Sequence, residues 1–296
     1  MESLLVVCRD LIVAGSGSLL IVFREVIEAG LIVGIVLAAT EGVRYRGRWV
    51  AGGVAVGVLG AAILAVFAGV LSNALDGNGQ EIFNISILCV AVSMLAWHTI
   101  WMAKHGREMA AEMSAAGTAV KNGQKSLARM AVVVTVAVLR EGFEVVLFLF
   151  GNAVSTNAGP LAQLAGGVLG VLFGSLLSFL LYRGLVTIPM RHLFSVTNTL
   201  IAFLAAGMAG QAADLLAQID LIPSWGDQIW DSSGFLSQDS MIGRALHAMV
   251  GYADRPSGVQ IAAYVATLVV LVALSRIIGK GGAARKPAGQ AVPQAR

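Results

Sequence analysis

Two copies of one charged motif, Arg24-Glu25-Val26-Ile27-Glu28 and Arg140-Glu141-Gly142-Phe143-Glu144, lie in the middle of long apolar runs of this chain. Together they place six formally charged side chains inside apolar segments, where no water is expected. A charged side chain at the centre of a bilayer costs about 2.5–3.5 kcal/mol on insertion scales. We therefore expect these charges to pair with one another and to serve a function.

The composition is that of an integral membrane protein. Of the 296 residues, 57% are hydrophobic and only 12% are charged, and the mean hydropathy is +0.81. Apolar runs long enough to cross a hydrocarbon core of about 30 Å predict seven transmembrane helices. They are expected at residues 11–38, 50–72, 82–103, 127–151, 161–182, 194–216 and 259–279. Cys8 and Cys89 have no redox or metal spacing and are expected to be apolar filling residues.

The distribution of basic residues predicts the orientation of the chain in the membrane. If seven spans alternate, fifteen of the twenty lysines and arginines fall on one side, two belong to the motifs, and only Arg9, Arg244 and Arg255 fall on the other side. The positive-inside rule places the fifteen in the cytoplasm. The N-terminus is then outside and the C-terminus cytoplasmic. These loops also explain the net charge of +3, so nucleic-acid binding is not expected.

The two motifs also indicate an internal repeat. They are 116 residues apart, and Gly52-Gly53-Val54 and Gly166-Gly167-Val168 are 114 residues apart. Two further pairs share the offset of 114 residues: Asn84 with Asn198, and Met94 with Met208. Each half would hold three spans, and because three is odd, the second half would be inserted upside down. The predicted fold is an all-α membrane protein with a 3+3 inverted repeat and a peripheral seventh helix.

This repeat divides the chain into five predicted parts. They are a first three-helix repeat with its cytoplasmic loop (1–125), a second, inverted three-helix repeat (126–217), an external acidic loop (218–258), the seventh helix (259–279) and a tail (280–296). The tail is rich in Gly, Ala, Pro, Gln and basic residues, which cannot bury a core. We therefore expect it to be a disordered cytoplasmic segment.

Each motif can present its charges on one face of a helix. Arg24 and Glu25 precede Glu28 by four and three positions, which are spacings of helical neighbours. The same spacing is repeated by Arg140, Glu141 and Glu144. If the two helices cross, four carboxylates meet two guanidinium groups, and two carboxylates remain that need protons or a bound cation. Oxygen ligands without Cys or His in the motif favour a hard cation, but they do not separate iron from manganese, calcium or magnesium.

The doubled motif in a seven-span chain resembles the oxidase-coupled iron permeases of the iron/lead transporter family, including its bacterial members. The resemblance extends to about residue 279 and includes Ile229-Trp230-Asp231-Ser232-Ser233 and Pro256-Ser257. It implies high-affinity iron uptake across the cytoplasmic membrane, with iron as the transported ion. The iron ligands that it implies are Glu25, Glu28, Glu141 and Glu144, supported by Arg24 and Arg140. It also implies periplasmic iron-binding and copper-containing oxidase partners.

Further residues could line an ion path. Met94, His98 and Met102 recur at helical spacing in the third span, and Asp231 is the best candidate in the acidic external loop. Packing is the favoured interpretation for the Met and His residues, because these residue types on an apolar face more often fill a core. For Asp231, capping of a turn and attraction of cations are equally supported.

We therefore predict an iron permease and not an enzyme, since no catalytic nucleophile or organic-cofactor fingerprint is found. Two alternatives stay open. One is a carrier of another hard divalent cation. The other is a membrane scaffold or redox-complex subunit in which the Arg-Glu pairs only clamp two helices together, and which would transport nothing.

Overall fold

The computed structural model describes residues 15–74, 80–124, 126–156, 159–184 and 190–281, and these residues form helices and connecting loops without any strand. The helices are α1 (Ser16–Ala39), α2 (Arg46–Ala74), α3 (Gln80–Lys121), α4 (Leu127–Thr156), α5 (Pro160–Tyr182), α6 (Met190–Gln218), α7 (Met241–Val250) and α8 (Gly258–Gly281). Cys8, the first four residues of the first predicted span and the tail from residue 282 lie outside the described residues. The all-α prediction is confirmed for the described part.

Each predicted span overlaps one long helix. By length and composition, four stretches of the described chain are suited to crossing a membrane: Arg46–Val70, Glu81–His98, Pro160–Tyr182 and Asn198–Gln218. A shorter apolar stretch in α8 covers Gly258–Leu274. The two motif-bearing helices, α1 and α4, each carry the three charged residues of their motif within mainly apolar sequence, and α4 has one further charge, Arg129, near its start.

Two elements differ from the sequence prediction in extent. The third span was expected over 82–103, but α3 continues to Lys121, because its last part is rich in Ala, Met and Glu and contains no Pro. The segment 218–258, expected as a loop, contains α7. Its N-terminus is capped by Ser240, whose Oγ accepts a hydrogen bond from the Gly243 N–H at 3.0 Å. Its C-terminus ends at Gly251, which has a φ of 70° that glycine adopts without strain.

Close approach of backbones joins the helices in two pairs. α1 packs along α5, and α2 packs along α4. In the first pair, a Cβ added to Gly170 would lie 2.8 Å from the Leu19 carbonyl oxygen, and in the second a Cβ on Gly57 would lie 2.8 Å from Cβ of Val138. Small residues permit this approach where lipid offers no hydrophobic driving force between helices. The motif-bearing helix of each sequence half therefore packs against the second helix of the other half.

Two buried apolar clusters lie at opposite ends of the motif-bearing helices. The Phe148 cluster contains Ile21, Leu88, Ala91, Leu95, Phe148, Ile201, Leu204, Ala205, Met208, Ala212 and Leu271. The Val134 cluster contains Val36, Val50, Val120, Met130, Val134 and Val138. Because Ile21 and Phe148 belong to one cluster and Val36 and Val134 to the other, α1 and α4 run antiparallel. On both helices the charged motif lies between the two clusters.

The packing of α5 on α1 generates a stability prediction. A Gly170→Ala variant places its methyl group 2.8 Å from both the Leu19 carbonyl oxygen and Cβ of Val22, and such overpacking costs about 1–3 kcal/mol. We expect a lower thermal unfolding midpoint in detergent micelles. Gly167→Ala is the matched control on the same helix, because the nearest atom to its new methyl group is 3.9 Å away. Equal midpoints for the two variants would contradict the close approach of α1 and α5.

Candidate functional site

The two charged motifs meet in the interior of the helix bundle. α1 contributes Arg24, Glu25 and Glu28 to this site, and α4 contributes Glu141 and Glu144. All five of these residues are at most 4% exposed. Local sequence explains the placement, because each motif is continuous with apolar helix on both sides and its charges share one face. The structure thus brings all four predicted glutamates into one site.

In the first motif, the arginine contacts both glutamates. Arg24 Nη1 donates a hydrogen bond to Glu25 Oε1 at 2.5 Å, and Arg24 Nη2 lies 2.9 Å from Glu28 Oε1. A guanidinium group can serve two carboxylates because its donors form a rigid planar fork. Arg24 therefore fixes the orientation of both glutamates on α1.

The second motif is arranged differently, although its sequence pattern is the same. Arg140 Nε donates to Glu144 Oε1 at 3.2 Å, but its distance to Glu141 Oε1 is 3.9 Å. The Arg140 side chain is 38% exposed, and its guanidinium carbon lies 4.8 Å from the centre of the Trp101 ring. This is a cation–π geometry. Glu141 is consequently held less tightly than the three other glutamates.

His98 of α3 joins the two motifs. Its Nε2 lies 3.1 Å from Glu28 Oε2, and its Nδ1 contacts Glu144 Oε2. The residue is only 2% exposed. Sequence reasoning named His98 as a path candidate but favoured packing, because helical spacing alone does not reveal which helix a side chain faces. The available signal was a titratable side chain inside a predicted apolar span.

The site has the geometry of a cation site. One ligand atom from each of Glu25, Glu28, His98 and Glu141 can be chosen so that all four atoms lie within 4.8 Å of one another. Glu25 Oε2 and Glu141 Oε2 are buried without a hydrogen-bond partner among the described residues. A buried carboxylate oxygen without a donor is unfavourable, and a bound cation would satisfy both oxygens at once.

A direct polar contact between α1 and α4 was not predicted from the sequence. Asn152 Nδ2 donates to Ser18 Oγ at 3.3 Å, and both residues are fully buried. Ser18 lies two helical turns before Glu25 on the same face of α1. Phe148 and Ile21 lie between this pair and the carboxylates along the two helices. The sequence offered no signal for it beyond an Asn within an apolar run.

The other predicted path residues lie apart from the carboxylates. Met94 packs against the Phe148 cluster, and the side chain of Met102 is outside the part that the structure describes. Asp231 is exposed, and its carboxylate accepts hydrogen bonds from Ser233 Oγ at 2.5 Å and the Ser233 N–H at 2.9 Å. These bonds, followed by the ion pair with Arg255 at 3.2 Å, lower the pKa of Asp231 to about 2. A role of Asp231 in ion transfer stays a prediction.

Comparison with known proteins gives one family and a set of relatives. Residues 16–282, which include both motifs, match the model of the iron permease FTR1 family. The chain is 32% identical over 269 residues to the ferrous iron permease EfeU of Shigella sonnei, covering 89% of this chain and 96% of the relative. It is 31% identical over 282 residues to EfeU of Yersinia pestis, covering 94% and 97%. No solved structure matches the chain.

The different burial of Arg24 and Arg140 leads to a prediction about stability. Removing one partner of a buried ion pair costs about 3–5 kcal/mol, so Arg24→Met should strongly lower the unfolding midpoint in detergent. Arg140→Met is the matched variant, and we expect a smaller loss because this side chain is partly exposed. Thermal unfolding of both variants, with size-exclusion chromatography as the readout of remaining folded protein, measures the difference between their unfolding midpoints. An equal loss in both would show that the two motifs are energetically equivalent, contrary to the structure.

Proposed function

The chain belongs to the iron permease FTR1 family, and from this premise we propose that it takes up iron through a site built from its two Arg-Glu-x-x-Glu motifs. Family membership and the apolar helices identify a multi-pass membrane protein of an iron-transporting family, which points to a transporter rather than an enzyme. The proposal adds the residues that bind the ion, its oxidation state, and the direction of transport. The first two are each supported by a separate observation, and uptake is the direction that the family resemblance implies.

The observation that carries the proposal is the meeting of four buried carboxylates with two arginines. Arg24 serves Glu25 and Glu28, and Arg140 hydrogen-bonds Glu144. A formal charge of about −2 remains if all four glutamates are ionised and both arginines are charged. A divalent cation bound at Glu25, Glu28 and Glu141 would balance it. Glu144 and the arginines would then orient these ligands.

Ferrous iron is the proposed substrate. The relatives from Shigella sonnei and Yersinia pestis are named ferrous iron permeases, and a divalent ion neutralises the cluster whereas a trivalent ion leaves it positive. High affinity follows from charged oxygen ligands in a buried site, where electrostatic attraction is weakly screened. The periplasmic iron-binding and copper-containing oxidase partners implied by the family resemblance belong to this proposal.

The two apolar clusters suggest how free passage of the ion through the bundle is prevented. The Phe148 cluster and the Val134 cluster flank the carboxylates on the motif-bearing helices. An ion bound between them would be closed off from both sides. Transport then requires the helices at one cluster and afterwards at the other to separate, which is alternating access around a fixed central site.

Seven transmembrane helices in a 3+3 inverted repeat are part of the same proposal. Its support is the reciprocal packing of α1 on α5 and of α4 on α2, together with the antiparallel arrangement of α1 and α4. In this scheme α8 is the peripheral seventh helix. The five-part division of the chain stays a prediction, with α7 lying in the part expected to be external.

The proposed orientation places the loop between α1 and α2 in the cytoplasm and the segment between α6 and α8 outside the cytoplasmic membrane. It rests on the excess of basic residues on one side of the predicted spans. A carrier of another hard divalent cation and a non-transporting scaffold are the competing functions. Both make different predictions for purified protein in liposomes.

Removal of a single carboxylate tests the proposed site. Glu25→Gln, Glu28→Gln and Glu141→Gln each keep the side-chain size but replace a charged oxygen ligand by a weaker amide oxygen. We expect each to lower ferrous iron affinity at least ~10-fold, since even changes in groups that only support metal ligands cost that much. Iron binding to purified protein and uptake of radioactive iron into proteoliposomes measure the effect.

Glu41→Gln is the matched control for this series, because Glu41 is an exposed residue just after α1. It should bind and transport iron as the unaltered protein does. Unchanged iron affinity in the correctly folded site variants would exclude the motifs as the binding site. Uptake of calcium or magnesium in preference to iron would favour the other transport function, and absence of any uptake would favour the scaffold.

Labelling of single cysteines tests the orientation. In a background without Cys8 and Cys89, Phe235→Cys places a thiol at a side chain that is 96% exposed in the segment before α7. Arg48→Cys places one at an exposed position near the start of α2. A membrane-impermeant maleimide added to intact spheroplasts should label the first and not the second. Labelling of position 48 without labelling of position 235 would show that the orientation is opposite to the proposed one.

A further inference from the structure

We propose that His98 is a ligand of the transported ion, and that its imidazole makes the site prefer transition-metal ions such as ferrous iron over calcium and magnesium. This inference rests on the proposed function, because it concerns the same site. It adds a nitrogen ligand from a third helix to a site that the motifs alone would make entirely from oxygen.

The position of His98 is the first argument. Its ring contributes one of the four candidate ligand atoms that lie within 4.8 Å of one another, with Glu25, Glu28 and Glu141 contributing the others. Opposed ligands of a first-row metal lie about 4.0–4.4 Å apart, twice a typical bond of 2.0–2.2 Å. The most distant of the four atoms therefore need to approach by at most about 0.4–0.8 Å to share one ion as opposed ligands.

The chemistry of the ligand set is the second argument. Calcium and magnesium take oxygen ligands almost exclusively, whereas imidazole suits iron, zinc, copper and nickel. Three carboxylates with one imidazole combine charge neutralisation with a nitrogen ligand that alkaline-earth ions do not favour. The fold thus supplies a means of discrimination that the Arg-Glu-x-x-Glu pattern lacks.

The predicted repeat supplies the third argument. Met94 and Met208 are related by the offset of 114 residues, and both pack in or against the Phe148 cluster. The same offset relates His98 to Ala212, which is buried in α6. His98 is present in one half, which fits a single ligand for a single ion.

A different role is that of a positioning residue, in which His98 only holds Glu28 and Glu144 in place through its two ring nitrogens. The two roles differ in what their loss would do. Loss of a positioning residue weakens the binding of every cation by a similar factor. Loss of a nitrogen ligand weakens binding of iron more than binding of calcium, and it removes nitrogen from the coordination shell.

The coordination shell can be read directly with Mn²⁺ bound to the full-length protein in detergent micelles, as a paramagnetic substitute for Fe²⁺. Pulsed electron paramagnetic resonance detects ¹⁴N nuclei bonded to the metal. We expect a ¹⁴N signal from the unaltered protein and its loss in His98→Gln. His247→Gln is the matched control, because the ring nitrogens of His247 contact the carbonyl oxygens of Tyr252 and Ser155. It should keep the signal.

Competition between ions gives the second measurement. The ratio of the calcium Kd to the ferrous iron Kd should fall at least tenfold in His98→Gln and stay unchanged in His247→Gln. Loss of the ¹⁴N signal together with this fall supports the proposal. Bound Mn²⁺ without ¹⁴N coupling in the unaltered protein, or an unchanged ratio in His98→Gln, overturns the role of His98 alone. Absence of Mn²⁺ and Fe²⁺ binding in the unaltered protein overturns the proposed function itself.

Discussion

The burial of four carboxylates among apolar helices is the constraint on which the rest of the structure depends. Glu25 and Glu28 on α1 and Glu141 and Glu144 on α4 are almost fully removed from solvent. Such groups are tolerated in a membrane interior only when partners compensate their charge. Arg24 compensates locally, and His98 connects the two motifs. Some carboxylate oxygens have no hydrogen-bond donor among these partners, and their arrangement is suited to binding a metal ion.

The surrounding packing serves this centre. Close backbone approach at Gly170 on α5 and Gly57 on α2 brings the motif-bearing helices against neighbours from the opposite half of the sequence. The Phe148 and Val134 clusters then enclose the carboxylates from both ends. Apolar surroundings raise the cost of an unpaired charge and also strengthen the attraction for a cation. The same packing therefore keeps the site dry and makes it selective for charge.

Much of this arrangement was predictable, because it follows from the apolar composition and from the spacing of residues along a helix. The long apolar runs predicted the helices, and the spacing of Arg24, Glu25 and Glu28 predicted one charged face. Contacts between helices were not predictable from period alone. Neither the link from His98 to both motifs nor the exposure of Arg140 beside Trp101 follows from sequence spacing, since both depend on which helices become neighbours. The extension of α3 and the presence of α7 were missed because apolar length was the only criterion for a helix.

The central claim is that iron binds between α1 and α4 at the motif carboxylates. Crystals of the protein soaked in ferrous iron without oxygen, with diffraction measured on both sides of the iron absorption edge, test it most directly. The account predicts one strong anomalous peak within bonding distance of Glu25, Glu28 and Glu141. A peak confined to the surface aspartates of the segment 218–258, with none between the two helices, would contradict it.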